Sequence, residues 1–172
     1  ITVSRATAEA LREAGVRSPV RVVYQDTPFE QSCGLTGEAD VAFFRHLLDA
    51  PYLLSVGSLE PRKNQASLLA AFATLRAGRR VRLVLVGGHG WLSAPFEAAL
   101  ERHPFRQDIT VVRQANDATV ALLMRHCAVF VHPSRHEGFG LPPLEALAGG
   151  ACVVSTAVPS LVEAGFPRDG LI

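Results

Sequence analysis

The sequence predicts a doubly wound α/β domain: a parallel sheet with helices on both faces. Short apolar runs such as Val81 to Val86 and Ala128 to Val131 show no polar alternation, as strands buried on both faces require. Between such runs lie segments with apolar residues at helical spacing, for example Leu68, Leu69, Phe72 and Leu75. Glycines follow two of the strands, at Gly57 and at Gly87-Gly88. About six strands alternate with helices in this way, which gives a Rossmann-like, doubly wound order.

The elements follow in turn. Thr2 to Ala14 reads as a helix capped by Ser4 and ended by Gly15. Val20 to Tyr24 reads as a short strand, Asp26 to Gly37 as a loop and Ala39 to Leu48 as a helix. Tyr52 to Val56 is a strand that ends at Gly57. A loop to Lys63 and a helix from about Gln65 to Ala77 follow, with Asn64 as its cap. Val81 to Val86 runs into Gly87-Gly88-His89-Gly90. A helix to Arg102 then carries Pro95 in its first turn. Ile109 to Val112 is a strand, and Asp117 to His126 a helix with Val120, Leu123 and Met124 inward. The strand Ala128 to Val131 leads through a loop to a helix over Leu144 to Ala148, closed by Gly149-Gly150. Cys152 to Ser155 and a short helix near Ser160 to Ala164 complete the pattern.

Composition narrows the function. The chain has 172 residues, 48% hydrophobic and 19% charged, enough for one domain with a real core. No apolar run is long enough to span a bilayer, and the first fifteen residues lack a signal-peptide pattern. A net charge of +1 gives no field that argues for nucleic acid. Cys33, Cys127 and Cys152 lack metal-like spacing and read as reduced thiols in the core, which points to the cytoplasm. His46, His103 and His126 read as surface or partly buried, whereas His89, His132 and His136 fall near the loops of interest. No histidine has the spacing of a metal site. Sixteen of the seventeen basic side chains are Arg, and the single Lys is Lys63.

Three loops carry candidate chemistry. In Gly57 to Asn64, Arg62 and Lys63 stand at a strand-to-helix turn beside a positive helix end. Cations are unfavourable there unless an anion such as a pyrophosphate joins them. A merely solvated basic loop is the other reading. In Gly87 to Gly90 the glycines nearly fit a dinucleotide fingerprint, but Ser93 holds the third position and no acid follows the next strand. A tight turn, or a turn lining a cleft, fits better. In His132 to Glu145, two carboxylates flank a glycine loop where open α/β sheets bind ligands. Glu137 lies in the loop, and Glu145 in the first turn or so of the helix. Gly138 and Gly140 allow close backbone approach, and carboxylates accept from the paired hydroxyls of a ribose or hexose. Glu145 by itself also suits the helix dipole.

Taken in order, these loops resemble the donor-nucleotide domain of the GT-B glycosyltransferases of family 4. The runs that carry the resemblance are Leu54 to Asn64, Leu83 to Trp91, Asp117 to Glu145 and Val153 to Thr156. The resemblance covers about Val3 to Ile172. Glu-x7-Glu around Gly-Phe-Gly, with Pro-Arg-Lys-Asn about seventy residues upstream, is the specific part. The resemblance implies one half of a GT-B fold and retaining, metal-independent transfer of a hexose from a nucleotide-sugar. No cofactor is implied beyond that donor, GDP-mannose or a UDP-sugar. The Glu-Pro-Arg-Lys-Asn and Gly-Gly-His-Gly-Trp variants look most like the branch with mannosyltransferases of bacterial surface polysaccharides.

Carried over residue by residue, Lys63 with Arg62 binds the donor pyrophosphate beside Gly57 and Ser58. Glu137 is the catalytic carboxylate facing the donor sugar. The amides of Gly138, Phe139, Gly140 and Leu141 support phosphate and sugar, and Glu145 binds the ribose. The turn at Gly87 and the chain around Arg113 border the base. Many relatives carry Arg at the position of Ser58, Gly at that of Arg113, and Asn-Gly at that of Gln25-Asp26.

The resemblance further implies that residues 1–15 are a linker or the tail of a preceding acceptor domain. Residues 16–172 form the donor domain, short of its C-terminal helices. The implied partners are the nucleotide-sugar, the N-terminal acceptor domain and a glycan or lipid-linked acceptor, without nucleic acid. The implied location is cytoplasmic, or peripheral at the inner membrane face through the other domain. A nucleotide-sugar epimerase or phosphorylase of the same fold, a non-catalytic nucleotide-binding module and a nicotinamide-dependent dehydrogenase are the competing readings.

Overall fold

The structure, a computed structural model, describes residues 1–26, 46–47, 49–91 and 93–167. Most of the expected helix at Ala39 to Leu48, most of the preceding loop, Cys33 and the last five residues lie outside the described residues, while His46 and Leu47 are helical. Five parallel strands form one sheet: β1 (Tyr52–Val56), β2 (Arg82–Val86), β3 (Ile109–Val112), β4 (Val129–His132) and β5 (Val153–Ser155). Helices α2 (Gln65–Gly78), α3 (Ala94–Glu101), α4 (Asp117–His126), α5 (Leu141–Ala148) and α6 (Pro159–Glu163) alternate with them, and α1 (Arg5–Glu13) precedes them. The sheet order is β3-β2-β1-β4-β5. The chain winds outward from β1 to β3, then crosses back to lay β4 on the other side of β1. The winding therefore reverses between β1 and β4, where their C-terminal loops part and leave a crevice.

Two apolar layers cover the sheet, as the unbroken apolar strands require. One holds Leu54, Val84, Val86 and Phe130 against Leu123 and Met124 of α4 and Ala146 of α5. The other holds Leu83 and Leu85 against Leu68, Leu69 and Phe72 of α2 and Phe96 and Leu100 of α3. Tyr52 is fully buried, and its hydroxyl donates to the Leu123 carbonyl at 2.8 Å. That carbonyl also accepts from the Cys127 amide, so it keeps a partner if the hydroxyl is lost. Tyr52→Phe should therefore cost only about 1 kcal/mol in denaturant unfolding.

Several expectations are corrected. Val20 to Tyr24 is not a strand of the sheet: it makes a single parallel bridge, Thr2 to Val22. The run is β-branched enough to extend, but among the described residues it has no second neighbour there. Asn64 occupies the cap position of α2 in a left-handed conformation and makes no capping bond; its amide donates instead to the Pro133 carbonyl at 3.1 Å. The helix over 144–148 begins three residues earlier, at Leu141, because Pro142 and Pro143 suit a first turn that needs no amide donors. His103 is buried, with its ring stacked on Phe72 and Nε2 at 3.0 Å from the Leu69 carbonyl. Cys152 is exposed rather than in the core.

At the other end, Ser4 caps α1 as expected, accepting from the Thr7 amide at 3.0 Å. Glu163 of α6 accepts from the amides of Arg5 and Ala6 and from the Tyr24 hydroxyl. Thr7 Oγ1 in turn donates to the Gly138 carbonyl at 3.2 Å. The N-terminal helix is thus held against the glycine loop that follows β4.

Candidate functional site

The site is built from loops at the C-terminal ends of β1, β2 and β4. After β1 the chain makes a short 3-10 turn, Pro61–Lys63, and after β2 a glycine turn. The two are zipped together: Gly57 N–H donates to Val86 O, Leu59 N–H to Gly88 O and Gly90 N–H to Leu59 O. At Gly87 the packing leaves no room for a side chain. A Cβ on Gly87, whose φ is +153°, would lie 2.1 Å from the Gly57 carbonyl oxygen. Gly57 is open on its other side, where the aliphatic stem of Lys63 passes within 3.3 Å of the Cβ position. That glycine lets the one lysine of the chain fold back over the end of β1.

The loop after β4 meets the turn after β1 because their strands are neighbours. Arg135 N–H donates to Arg62 O at 2.9 Å, and Arg62 Nη1 donates to the His136 carbonyl at 2.8 Å. At the centre stands Glu137, its side chain 7% exposed. Lys63 Nζ donates to its Oε1 at 2.7 Å and Arg62 Nη1 to its Oε2 at 3.0 Å. Arg62 Nη2 also reaches Glu60 at 2.6 Å. His132 Nε2, at the end of β4, lies 3.0 Å from Oε1. Burial would push the Glu137 carboxyl up; His132, Lys63 and Ser134 outweigh it and hold the group far below the usual carboxylate range. Glu137 and the two cations are therefore one charged cluster.

Glu145 is different. It lies in the second turn of α5, beyond the first turn in which the helix dipole would favour it. No cation or hydrogen-bond donor partners its carboxyl among the described residues. Burial and the charge of Asp117, at the start of α4, raise its pKa. A half-buried carboxylate without a donor can accept from ligand hydroxyls.

Two clefts open beside the cluster. One, of about 590 Å³, lies over the ends of β1, β2 and β3 and is lined by Gly57, Ser58, Gly87, Arg113 and Asn116 among others. The Arg113 guanidinium there is gripped by both oxygens of Glu97, at 3.1 and 3.0 Å. The second, of about 640 Å³, lies between α1, the glycine loop and α6, with Arg62, His136, Glu137 and Gly138 in its wall. Phe139 and Gly140 are buried between these parts, Gly140 at φ +97° against Leu161. Leu141 opens α5. Among the described residues no group of three or more His, Cys, Asp and Glu could hold a metal ion. No helix of the described residues is long and apolar enough to cross a membrane.

The structure thus brings Lys63, Arg62 and Glu137 into contact, with Gly57, Ser58, Gly87 and Arg113 around one cleft and Gly138 at the other. Glu60 and His132 belong to the same cluster and had no expected part in it. For His132 a signal existed: it sits two positions after Phe130 on β4, on the same buried face.

Residues 38–165 match the family model described as glycosyl transferases group 1. The O-antigen chain mannosyltransferase B of Escherichia coli is 39% identical over 114 residues, which is 65% of this chain but 30% of that protein. The serotype-specific mannosyltransferase WbdA of Escherichia coli is 33% identical over 123 residues, 69% of this chain and 15% of that protein. Among solved structures, a sucrose-phosphate synthase from Thermosynechococcus elongatus superposes with a TM-score of 0.74 at 26% identity, over 93% of this chain and 41% of that one. HepE of Anabaena, solved with UDP-glucose, superposes equally well, with a TM-score of 0.74, at 22% identity over 94% of this chain and 45% of that one; this likeness concerns the fold alone. The chain spans under a third of the length of the two mannosyltransferases and under half of the two solved chains. The family model covers most of the chain, including both charged loops and the sheet that joins them, and on that match the chain belongs to the glycosyl transferases group 1.

Proposed function

We propose that this chain is the donor-binding lobe of a glycosyltransferase that transfers a hexose from a nucleotide-sugar with retention of configuration. The observation that carries the reading is the contact of Lys63 and Arg62 with Glu137 at the crevice between β1 and β4, next to an open cleft. A diphosphate entering from that cleft would compete with Glu137 for the two cations. Lys63 and Arg62 would then stabilise charge on the departing nucleoside diphosphate as the sugar–phosphate bond breaks. Glu137, released from them, would face the sugar. The Glu145 carboxylate would take the ribose hydroxyls, and the glycine turn and Arg113 would border the base.

The resemblance to mannosyltransferases supports mannose, carried as GDP-mannose, as the first candidate donor, with UDP-sugars next. The acceptor would be a glycan or lipid-linked sugar held by a second lobe, in surface polysaccharide synthesis on the cytoplasmic side. Without an acceptor, the measurable activity of these residues is donor binding.

Calorimetric titration with GDP, UDP, ADP and NAD tests this reading. Saturable binding of one nucleoside diphosphate is expected, and binding of NAD alone would sink it. Glu145→Gln should weaken the preferred diphosphate roughly tenfold through poorer acceptance from the ribose. Unchanged affinity in that variant would remove Glu145 from the site.

A further inference from the structure

The charge count of the buried cluster has a consequence for donor binding. Without ligand, two cations, Lys63 and Arg62, face two carboxylates, Glu137 and Glu60. The cluster is balanced, and a third buried cation there would meet like charge and a desolvation cost. A bound diphosphate draws Lys63 and Arg62 toward itself. Glu137, with a side chain 7% exposed, is then a buried carboxylate short of counter-charge.

One titratable group is placed to restore it. His132 Nε2 lies 3.0 Å from Glu137 Oε1 and is buried. Its ring is stacked on Phe130 at 6.5 Å between centroids, and its backbone carbonyl accepts from the Ser155 hydroxyl and the Thr156 amide. The groups that face it are few. Glu137 comes from the glycine loop, with Lys63 and Arg62 beyond it from the turn after β1 and Glu60 beyond Arg62. The strand β5 on its other side contributes hydroxyls rather than charges.

We propose that binding of the nucleotide-sugar is coupled to proton uptake by His132. The imidazolium replaces Lys63 and Arg62 as the counter-ion of Glu137 when those cations engage the diphosphate. His132 is therefore a positioning residue, which keeps the Glu137 carboxylate ionised and oriented once its cations have left. This rests on the donor reading above.

The test is calorimetric titration of GDP-mannose and of UDP-glucose at pH 7.5, in buffers of different ionisation heat. The phosphates of both probes carry no proton that titrates near neutral pH. For whichever probe binds, an uptake of about one proton per ligand is expected in the wild type and close to none in His132→Gln, whose amide can still reach Glu137. Binding without uptake in the wild type, or the same uptake in His132→Gln, overturns the coupling and leaves the donor reading intact. Failure of both probes to bind overturns the donor reading, and the coupling with it. Should His132→Gln not fold, the ring nitrogen shifts of His132 in the wild-type protein, assigned through its contact with Phe130, give the same answer. A change from neutral to cationic imidazole on saturation supports the proposal, and an unchanged ring overturns it.

Discussion

Gly87→Ala is expected to cost at least about 3 kcal/mol of stability and to lower Tm by roughly 6–12 °C. The reason is backbone against backbone. A methyl group at Gly87 would lie 2.1 Å from the Gly57 carbonyl oxygen and 2.6 Å from its carbonyl carbon, neither of which can rotate aside as a side chain can. The residue also sits at φ +153°, which an L side chain rarely adopts. Relief requires the loops after β1 and β2 to part, which breaks the bond from Leu59 N–H to Gly88 O and lifts Ser58 from the cleft wall. Gly88→Ala is the matched control: a Cβ there meets nothing nearer than the Arg113 carbonyl at 3.7 Å, an ordinary contact. Thermal unfolding of the pair should show a large loss for the first and a small change for the second. Equal behaviour would contradict the close approach of the two loops.

Glu137→Gln is the second large effect, a loss of about 3 kcal/mol at neutral pH. The amide cannot neutralise Lys63, whose side chain is 10% exposed, so a buried cation is left without its partner. The figure lies at the low end for a broken buried pair because the side chain of Arg62 is 36% exposed and can turn to water. The pH dependence follows from the direction of the shift. The folded chain holds the Glu137 carboxyl far below its ordinary 4.5. Above that value the carboxyl is ionised in both states and the cluster contributes fully. Below it the unfolded chain takes up a proton that the folded chain refuses, so stability falls as the pH drops toward the folded pKa. Wild-type unfolding free energy should therefore decline steeply with acid below about pH 4.5, and Glu137→Gln should show a shallower decline. Parallel acid profiles would mean that the carboxyl is not held by its neighbours.

These effects depend on features of unequal legibility in the sequence. The strands of the sheet were readable because they are short, largely apolar runs without regular polar alternation, which the sheet needs wherever helices cover both faces. Lys63 was readable because it is the single lysine among arginines and stands at a helix start. The contact of Lys63 with Glu137, 74 residues later, was not readable from spacing. It exists because β4 pairs with β1, a fact of sheet order that no local pattern encodes. Val20 to Tyr24 misled for a related reason: propensity favours extension, but a strand forms only where a neighbour offers a ladder. Asn64 has the composition of a cap, yet its amide does more by tying the turn after β1 to Pro133 of the opposite loop. Cys152 follows a helix-ending glycine pair, and its apolar neighbours in sequence point inward while it points out.

On the proposed function, Lys63 and Arg62 are held in reserve for a diphosphate. Calorimetric comparison of a nucleoside diphosphate with its parent nucleoside, in the wild type and in Lys63→Ala, tests it most directly. The diphosphate should lose roughly ten- to hundredfold in Kd, equivalent to about 1.5–3 kcal/mol for one charge-assisted contact, while nucleoside affinity stays unchanged. Equal losses for both ligands, or no loss for the diphosphate, would contradict the claim.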